Sequence, residues 1–117
     1  MFLHIKDVLT PEEITFFRQA LGPQAPWIEG ARSAGGQAIH QKNNLQLAQG
    51  SELSAQLQTM VKAALHRNAL FFSAALPRRI YNPLFNNYGD GANFYGNHVD
   101  SAVMHSKADN CWVRSDL

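Results

Sequence analysis

The chain has 117 residues, enough for one domain or part of one, and its 45% hydrophobic and 16% charged content is that of a globular protein rather than a disordered one. Ten Lys and Arg against nine Asp and Glu leave a net charge of +1, so nothing in the balance asks for nucleic acid, an acidic partner or a membrane surface. No apolar run approaches the ~20 residues of a membrane span, the opening MFLHIKDVL is too short and too charged for a signal peptide, and the single cysteine, Cys111, excludes an internal disulfide and a Cys-rich zinc site, all of which fits a cytoplasmic protein.

Phe2–Ile5 is a short apolar run that reads as a strand. Thr10-Pro11-Glu12-Glu13 then announces a helix. Thr10 is the capping residue, Pro11 suits the first helical position, and Glu13 completes a capping box. Ile14, Phe17 and Leu21 follow as one apolar stripe, and Gly22-Pro23 ends the helix. Trp27-Ile28 predicts a brief strand. Residues 30–51 are rich in Gly, Ser, Gln and Asn and read as a long loop with a strand near Ala38–His40, the kind of loop that often carries function. Ser51 and Glu52 open a second helix whose buried stripe is Leu53, Leu57, Met60, Val61, Ala64 and Leu65. After Asn68 the pattern changes. Phe71-Phe72, Ile80-Tyr81, Leu84-Phe85 and Phe94-Tyr95 are strand-like pieces broken by Pro77, Pro83 and Gly89–Gly91. Helices are therefore expected first and β-structure after, with no internal repeat and no linker. The final CWVRSDL reads equally as an interrupted segment or as a strand that finishes at the surface.

The chemistry lies in YGNHVDSAV, Tyr95–Val103. On a strand, His98 and Asp100 project to one side with Val99 on the other, their Cα atoms roughly 7 Å apart. An imidazole and a carboxylate can converge on one ion across that span; a helix would separate them. Val99 and Val103 favour the strand. The mixed N/O donor set suits Fe(II), whose facial triad needs one more histidine and leaves three positions open. Taken alone, His-x-Asp is a weak motif, and a surface His–Asp hydrogen-bonding pair accounts for it too.

The context is more specific. Tyr88-Gly89-Asp90-Gly91-Ala92-Asn93-Phe94-Tyr95-Gly96-Asn97-His98 places a tyrosine, a glycine-rich turn and an aromatic before His-x-Asp. This resembles the iron- and 2-oxoglutarate-dependent dioxygenases of the prolyl hydroxylase type, and most closely the bacterial PKHD-type hydroxylases. The opening MFLHIKDVLTPEE, the stretch WIEGARSAGGQA from Trp27, Gln41-Lys42-Asn43-Asn44, and LFFSAALPRRIYNPLFNNY from Leu70 to Tyr88 carry the same likeness, which runs over all 117 residues. Tyr88 and His98 stand one position further apart than is usual in the family, so either Phe94 or Tyr95 is an insertion, expected as a bulge before the ligand strand.

The resemblance implies an α+β fold: N-terminal helices, then the first part of a double-stranded β-helix (jelly-roll), truncated at the C-terminus. Residues 1–117 would form a single incomplete domain, helical over 1–68 and carrying the first core strands over 69–117. It implies His98 and Asp100 as metal ligands, Fe(2+) and 2-oxoglutarate as cofactors, O2 as cosubstrate and L-ascorbate as the agent that keeps iron ferrous. The distal histidine ligand and the 2-oxoglutarate-binding arginine would lie beyond Leu117, so the chain alone is expected to be an inactive fragment. His105 has the wrong strand parity to complete the triad, His66 sits in a helix, and His40 lies in the polar loop; Arg78, Arg79 and Arg114 find no support as the cosubstrate arginine. Tyr88, with Tyr81, is open to two readings, a cavity-lining hydroxyl that meets cosubstrate or ordinary sheet packing. Asn43 and Asn44, beside Lys42, are substrate-binding residues at a cavity mouth or simply a turn. Cys111 beside Trp112 reads as packing. No substrate is selected. A non-catalytic remnant and a cupin-like metal- or ligand-binding module stand as alternatives.

Overall fold

A computed structural model describes residues 2–30, 42–89, 94–95, 103–106 and 110–114. Its element order is α1 (Pro11–Ala20), β1 (Trp27–Glu29), β2 (Lys42–Asn43), β3 (Leu45–Leu47), α2 (Glu52–His66), α3 (Ala69–Ala75), β4 (Asn86–Asn87), β5 (Phe94–Tyr95), β6 (Val103–Ser106) and β7 (Cys111–Arg114). The class is mixed α+β. Helices and strands interleave, which corrects the expectation of helices first. The chain divides into two compact units: Met1–Ile28 with Leu45–Asn87, and Glu29–Asn44 with Tyr88–Leu117.

In the first unit the predicted capping of α1 is present in full. The Glu13 backbone N–H donates to Thr10 Oγ1 at 3.2 Å, and the Thr10 N–H donates to Glu13 Oε1 at 2.9 Å. The apolar stripe is narrower than expected. Phe17 is buried and Ala20 and Leu21 pack beside it, whereas Ile14 stays exposed because the core lies against the C-terminal half of the helix. The turn after α1 is closed by the Trp27 indole, whose Nε1–H donates to the Gly22 carbonyl at 2.9 Å. Phe2–Ile5 forms no strand, and Phe2 is almost fully exposed.

Lys42–Asn43 and Leu45–Leu47, expected within a loop, are strands. β3 sits centrally in a three-stranded sheet of order β1-β3-β4. It runs antiparallel to β4, with Leu45 opposite Asn87 and Gln46 opposite Asn86. The Leu47 N–H reaches the Phe85 carbonyl and the Ala48 N–H reaches that of Pro26, both at 2.9 Å. The expected strand near Ala38–His40 lies outside the described residues.

Ser51 caps α2 as predicted, accepting from the Ser54 N–H at 3.2 Å. Leu57 is fully enclosed and joins Phe17, Ala25 and Leu47, with Leu9, Trp27, Leu53, Met60, Val61 and Phe85 packed around them. The Phe17 and Phe85 rings meet at a centroid distance of 6.1 Å. Phe71-Phe72, predicted as a strand, belong to α3. The Asn68 side chain accepts from the Phe71 N–H at 2.9 Å, and this N-cap outweighs the β-preference of the two aromatics. Ile80-Tyr81 and Leu84-Phe85 are not in strands. Pro77 and Pro83 beside them offer no N–H to a ladder, and the segment is tied to α2 instead by Gln58 Nε2 donating to the Pro83 carbonyl at 3.2 Å.

One ion pair joins the start of α1 to the end of α2. The Arg67 guanidinium binds both oxygens of Glu13 and donates to the Val8 carbonyl at 3.1 Å. The hydrogen bond from Arg67, and then the Thr10 N–H, hold the Glu13 carboxyl down from 4.5 to about 2. Among the described residues no helix is long and apolar enough to cross a membrane.

Two outcomes follow for stability. Leu57→Ala removes a fully buried side chain and should lower the unfolding free energy by about 2–5 kcal/mol in urea denaturation. The folded-state carboxyl of Glu13 is depressed, so its contribution is complete above about pH 4.5 and is lost as pH falls towards about 2. The acid-unfolding curve of Glu13→Gln should therefore be flatter than that of the parent across this window.

Candidate functional site

The predicted metal ligands His98 and Asp100 lie outside the described residues. What the structure does describe is the local framework of the second unit. β5, which precedes them in sequence, pairs antiparallel with β2, Tyr95 opposite Lys42 and Phe94 opposite Asn43. Both aromatics are paired one to one; the rest of the stretch in which a bulge before the ligand strand is expected lies outside the described residues. Lys42 and Asn43 are strand residues, which removes the turn reading for this pair.

Asn44, between β2 and β3, is buried rather than displayed at a rim. Its carbonyl accepts from the Gly30 N–H at 2.8 Å, which closes the chain segment between residues 30 and 44. A Cβ placed on Gly30 would land on the Asn44 carboxamide. Gly30 is therefore required by close approach of another side chain. Tyr88 directly follows β4 and is 42% exposed, and Tyr81 is 40% exposed.

His66 and His105 have packing roles. His66, in the last turn of α2, lies against Phe72 with a centroid distance of 5.3 Å. β6 and β7 pair antiparallel, with His105 opposite Trp112 and Ser106 opposite Cys111. The His105 ring meets Trp112 edge-on at 5.2 Å. Asn110 precedes β7 in the left-handed region at φ 50°, a conformation that asparagine tolerates. Trp112 itself lies in a strand, β7. Cys111 is half-buried on that strand, as a packing residue would be. His40 and its loop lie outside the described residues. Among the described residues no three His, Cys, Asp or Glu side chains converge on one point.

Sequence reasoning passed over three residues that this geometry brings forward: Gly30, Gln46 and Arg67. The signal for Gln46 was present, since it stands between Leu45 and Leu47 where an apolar strand would otherwise continue.

No protein-family profile matches the chain. Individual relatives do, along its whole length. It is 49% identical over 117 residues to a PKHD-type hydroxylase of Variovorax paradoxus (strain S110), 45% to one of Aliarcobacter butzleri (strain RM4018), and 46% to the PKHD-type hydroxylase YbiX of Escherichia coli (strain 55989 / EAEC). The chain spans about half the length of each, 51%. The likeness to PKHD-type hydroxylases read from the motifs is thus shown across every residue of the chain.

The Gly30–Asn44 contact has a measurable consequence. Gly30→Ala should destabilise the chain by about 1–3 kcal/mol through overpacking, and adding Asn44→Ala should recover part of that loss. Urea denaturation of the two single variants and the double variant would show the non-additivity.

Proposed function

We propose that the chain is the N-terminal portion of an iron- and 2-oxoglutarate-dependent dioxygenase, a hydroxylase whose core is a double-stranded β-helix begun in these residues. The observation that carries this reading is the 49% identity to a PKHD-type hydroxylase over all 117 residues. The donor chemistry agrees with it. His98 and Asp100 offer one neutral nitrogen and one carboxylate oxygen, a pair that suits ferrous iron and leaves room for a third protein ligand. In this reading the third ligand is a histidine, and the arginine that meets the far carboxylate of 2-oxoglutarate accompanies it, both in the half of the relatives that these 117 residues do not span.

Bound iron, with 2-oxoglutarate and O2, would supply the oxidising power for hydroxylation of a C–H bond. This chain's own residues then have simpler tasks. The His98 imidazole must be neutral to donate its lone pair, so metal binding weakens at acid pH. The Asp100 carboxylate offsets part of the metal's charge. Tyr88, exposed after β4, offers a hydroxyl to cosubstrate. Asn43 and Asn44 bear on substrate, with Asn44 hydrogen-bonded to Gly30. L-Ascorbate would serve as an external reductant that keeps iron ferrous. The same reading places the protein in the cytoplasm.

The 117 residues by themselves are expected to form no succinate from 2-oxoglutarate in the presence of Fe(II) and ascorbate. Extending them with the second half of the Variovorax relative should produce it, and His98→Ala in that extended protein should lower it by more than the roughly 10–100-fold that loss of a metal ligand's hydrogen-bond partner costs. Succinate formation that is unchanged in His98→Ala would contradict the assignment.

A further inference from the structure

The chain before α1 holds an apolar segment with nothing to pair with. Phe2-Leu3-His4-Ile5 carries no carboxylate or ammonium side chain. Phe2 is 96% exposed and Leu3 48%. None of the residues from Phe2 to Lys6 makes a hydrogen bond, ion pair or ring contact among the described residues. The segment is nevertheless held at its C-terminal end. Asp7 turns the backbone through the left-handed region at φ 56°. The Val8 carbonyl accepts from Arg67 at 3.1 Å, and Leu9 packs against the core.

An anchored apolar segment of this kind has the properties of an added strand. Phe and Ile favour β-structure. In a strand, Phe2 and His4 would share one face and Leu3 and Ile5 the other. The main-chain N–H and C=O groups are available to continue a ladder, and strand addition draws its affinity from such bonds. The segment joins neither edge of the β1-β3-β4 sheet. A second copy is a poor match, because a segment this short cannot bury the roughly 1,200 Å² of a stable interface between proteins. A covalently linked strand needs no such area, since linkage raises its effective concentration to about the millimolar range. The chain spans 51% of the Variovorax relative, so in a protein of that length the other half is the linked partner.

We propose that Phe2–Ile5 is a strand that pairs with an open sheet edge in the half of the relatives that these 117 residues do not span, apolar side chains on that edge receiving Phe2. This rests on the reading of the chain as an N-terminal portion, and not on iron or 2-oxoglutarate.

Amide hydrogen exchange, followed by NMR, tests this in the chain alone and in the chain extended with the second half of the Variovorax relative. In the chain alone, the amides of Leu3, His4 and Ile5 should exchange as in an unfolded peptide at every protein concentration. In the extended protein, alternate amides among them should slow by about tenfold or more, because an edge strand bonds every second N–H to its neighbour. Rates that fall as the chain alone is concentrated would assign the segment to a second copy and overturn the proposal. Unslowed amides in an extended protein whose Leu57 amide is protected would overturn it too. Leu3→Pro and His4→Pro give an independent arm, since one of them removes a ladder N–H whichever face pairs. At least one should lower the urea midpoint of the extended protein, and neither should move that of the chain alone. The reverse on either count overturns the proposal. Succinate formation is read on the same extended protein. Slowed amides without succinate leave the pairing standing and count against the dioxygenase reading; succinate without slowed amides does the opposite.

Discussion

The first unit depends on the burial of one side of β3. Leu47 has almost no exposed surface and Leu57 has none, and between them they fix where α2 lies against the sheet. Phe17 from α1 and Phe85 from the approach to β4 complete the contact from two further directions. Strand pairing follows from this. A three-residue strand makes few ladder hydrogen bonds, so its register is held by which residue must face the apolar cluster, and a slip by one position would put Gln46 there in place of Leu47. The helix caps and the Glu13–Arg67 pair add to a geometry that burial has already selected. The tie from Gln58 to the Pro83 carbonyl keeps the irregular segment after α3 close enough for Phe85 to reach the core.

Much of this was legible from the residues. The capping box of Thr10 and Glu13, the Ser51 cap, the limits of α1 and α2, and the strand at Trp27 all appear where local chemistry puts them. Such signals act over three or four residues and need no tertiary partner. α3 and β3 were missed for the opposite reason. Phe71-Phe72 is a short aromatic pair that periodicity cannot assign, and the deciding group is the Asn68 side chain three residues before Phe71. Lys42–Leu47 looks like loop because its polar residues outnumber its leucines, yet β3 lies between two partners that only the folded chain supplies. The enclosure of Asn44 over Gly30 was illegible in the same way, since it depends on residues fourteen apart meeting.

The functional reading has a different foundation from the fold. Composition and charge excluded a few partners and chose none. The His98-Val99-Asp100 motif gave a chemically sensible iron pair with a surface alternative beside it. The likeness to PKHD-type hydroxylases, spread over the whole chain and half the length of each relative, is what turns the pair into a proposed metal site. The described structure bears on neighbouring sequence only. It gives a paired β5 in the sequence that leads to His98, a hydrogen bond from Gly30 to Asn44, and packing roles for His66 and His105.

The central claim is that the imidazole of His98 and the carboxylate of Asp100 share one ferrous ion once a third ligand joins them. Anaerobic calorimetric titration of Fe(II) into the chain extended with the relatives' second half tests it most directly. The account predicts one ion per molecule, with that binding lost in both His98→Ala and Asp100→Ala. Stoichiometric binding that survives either substitution would contradict it.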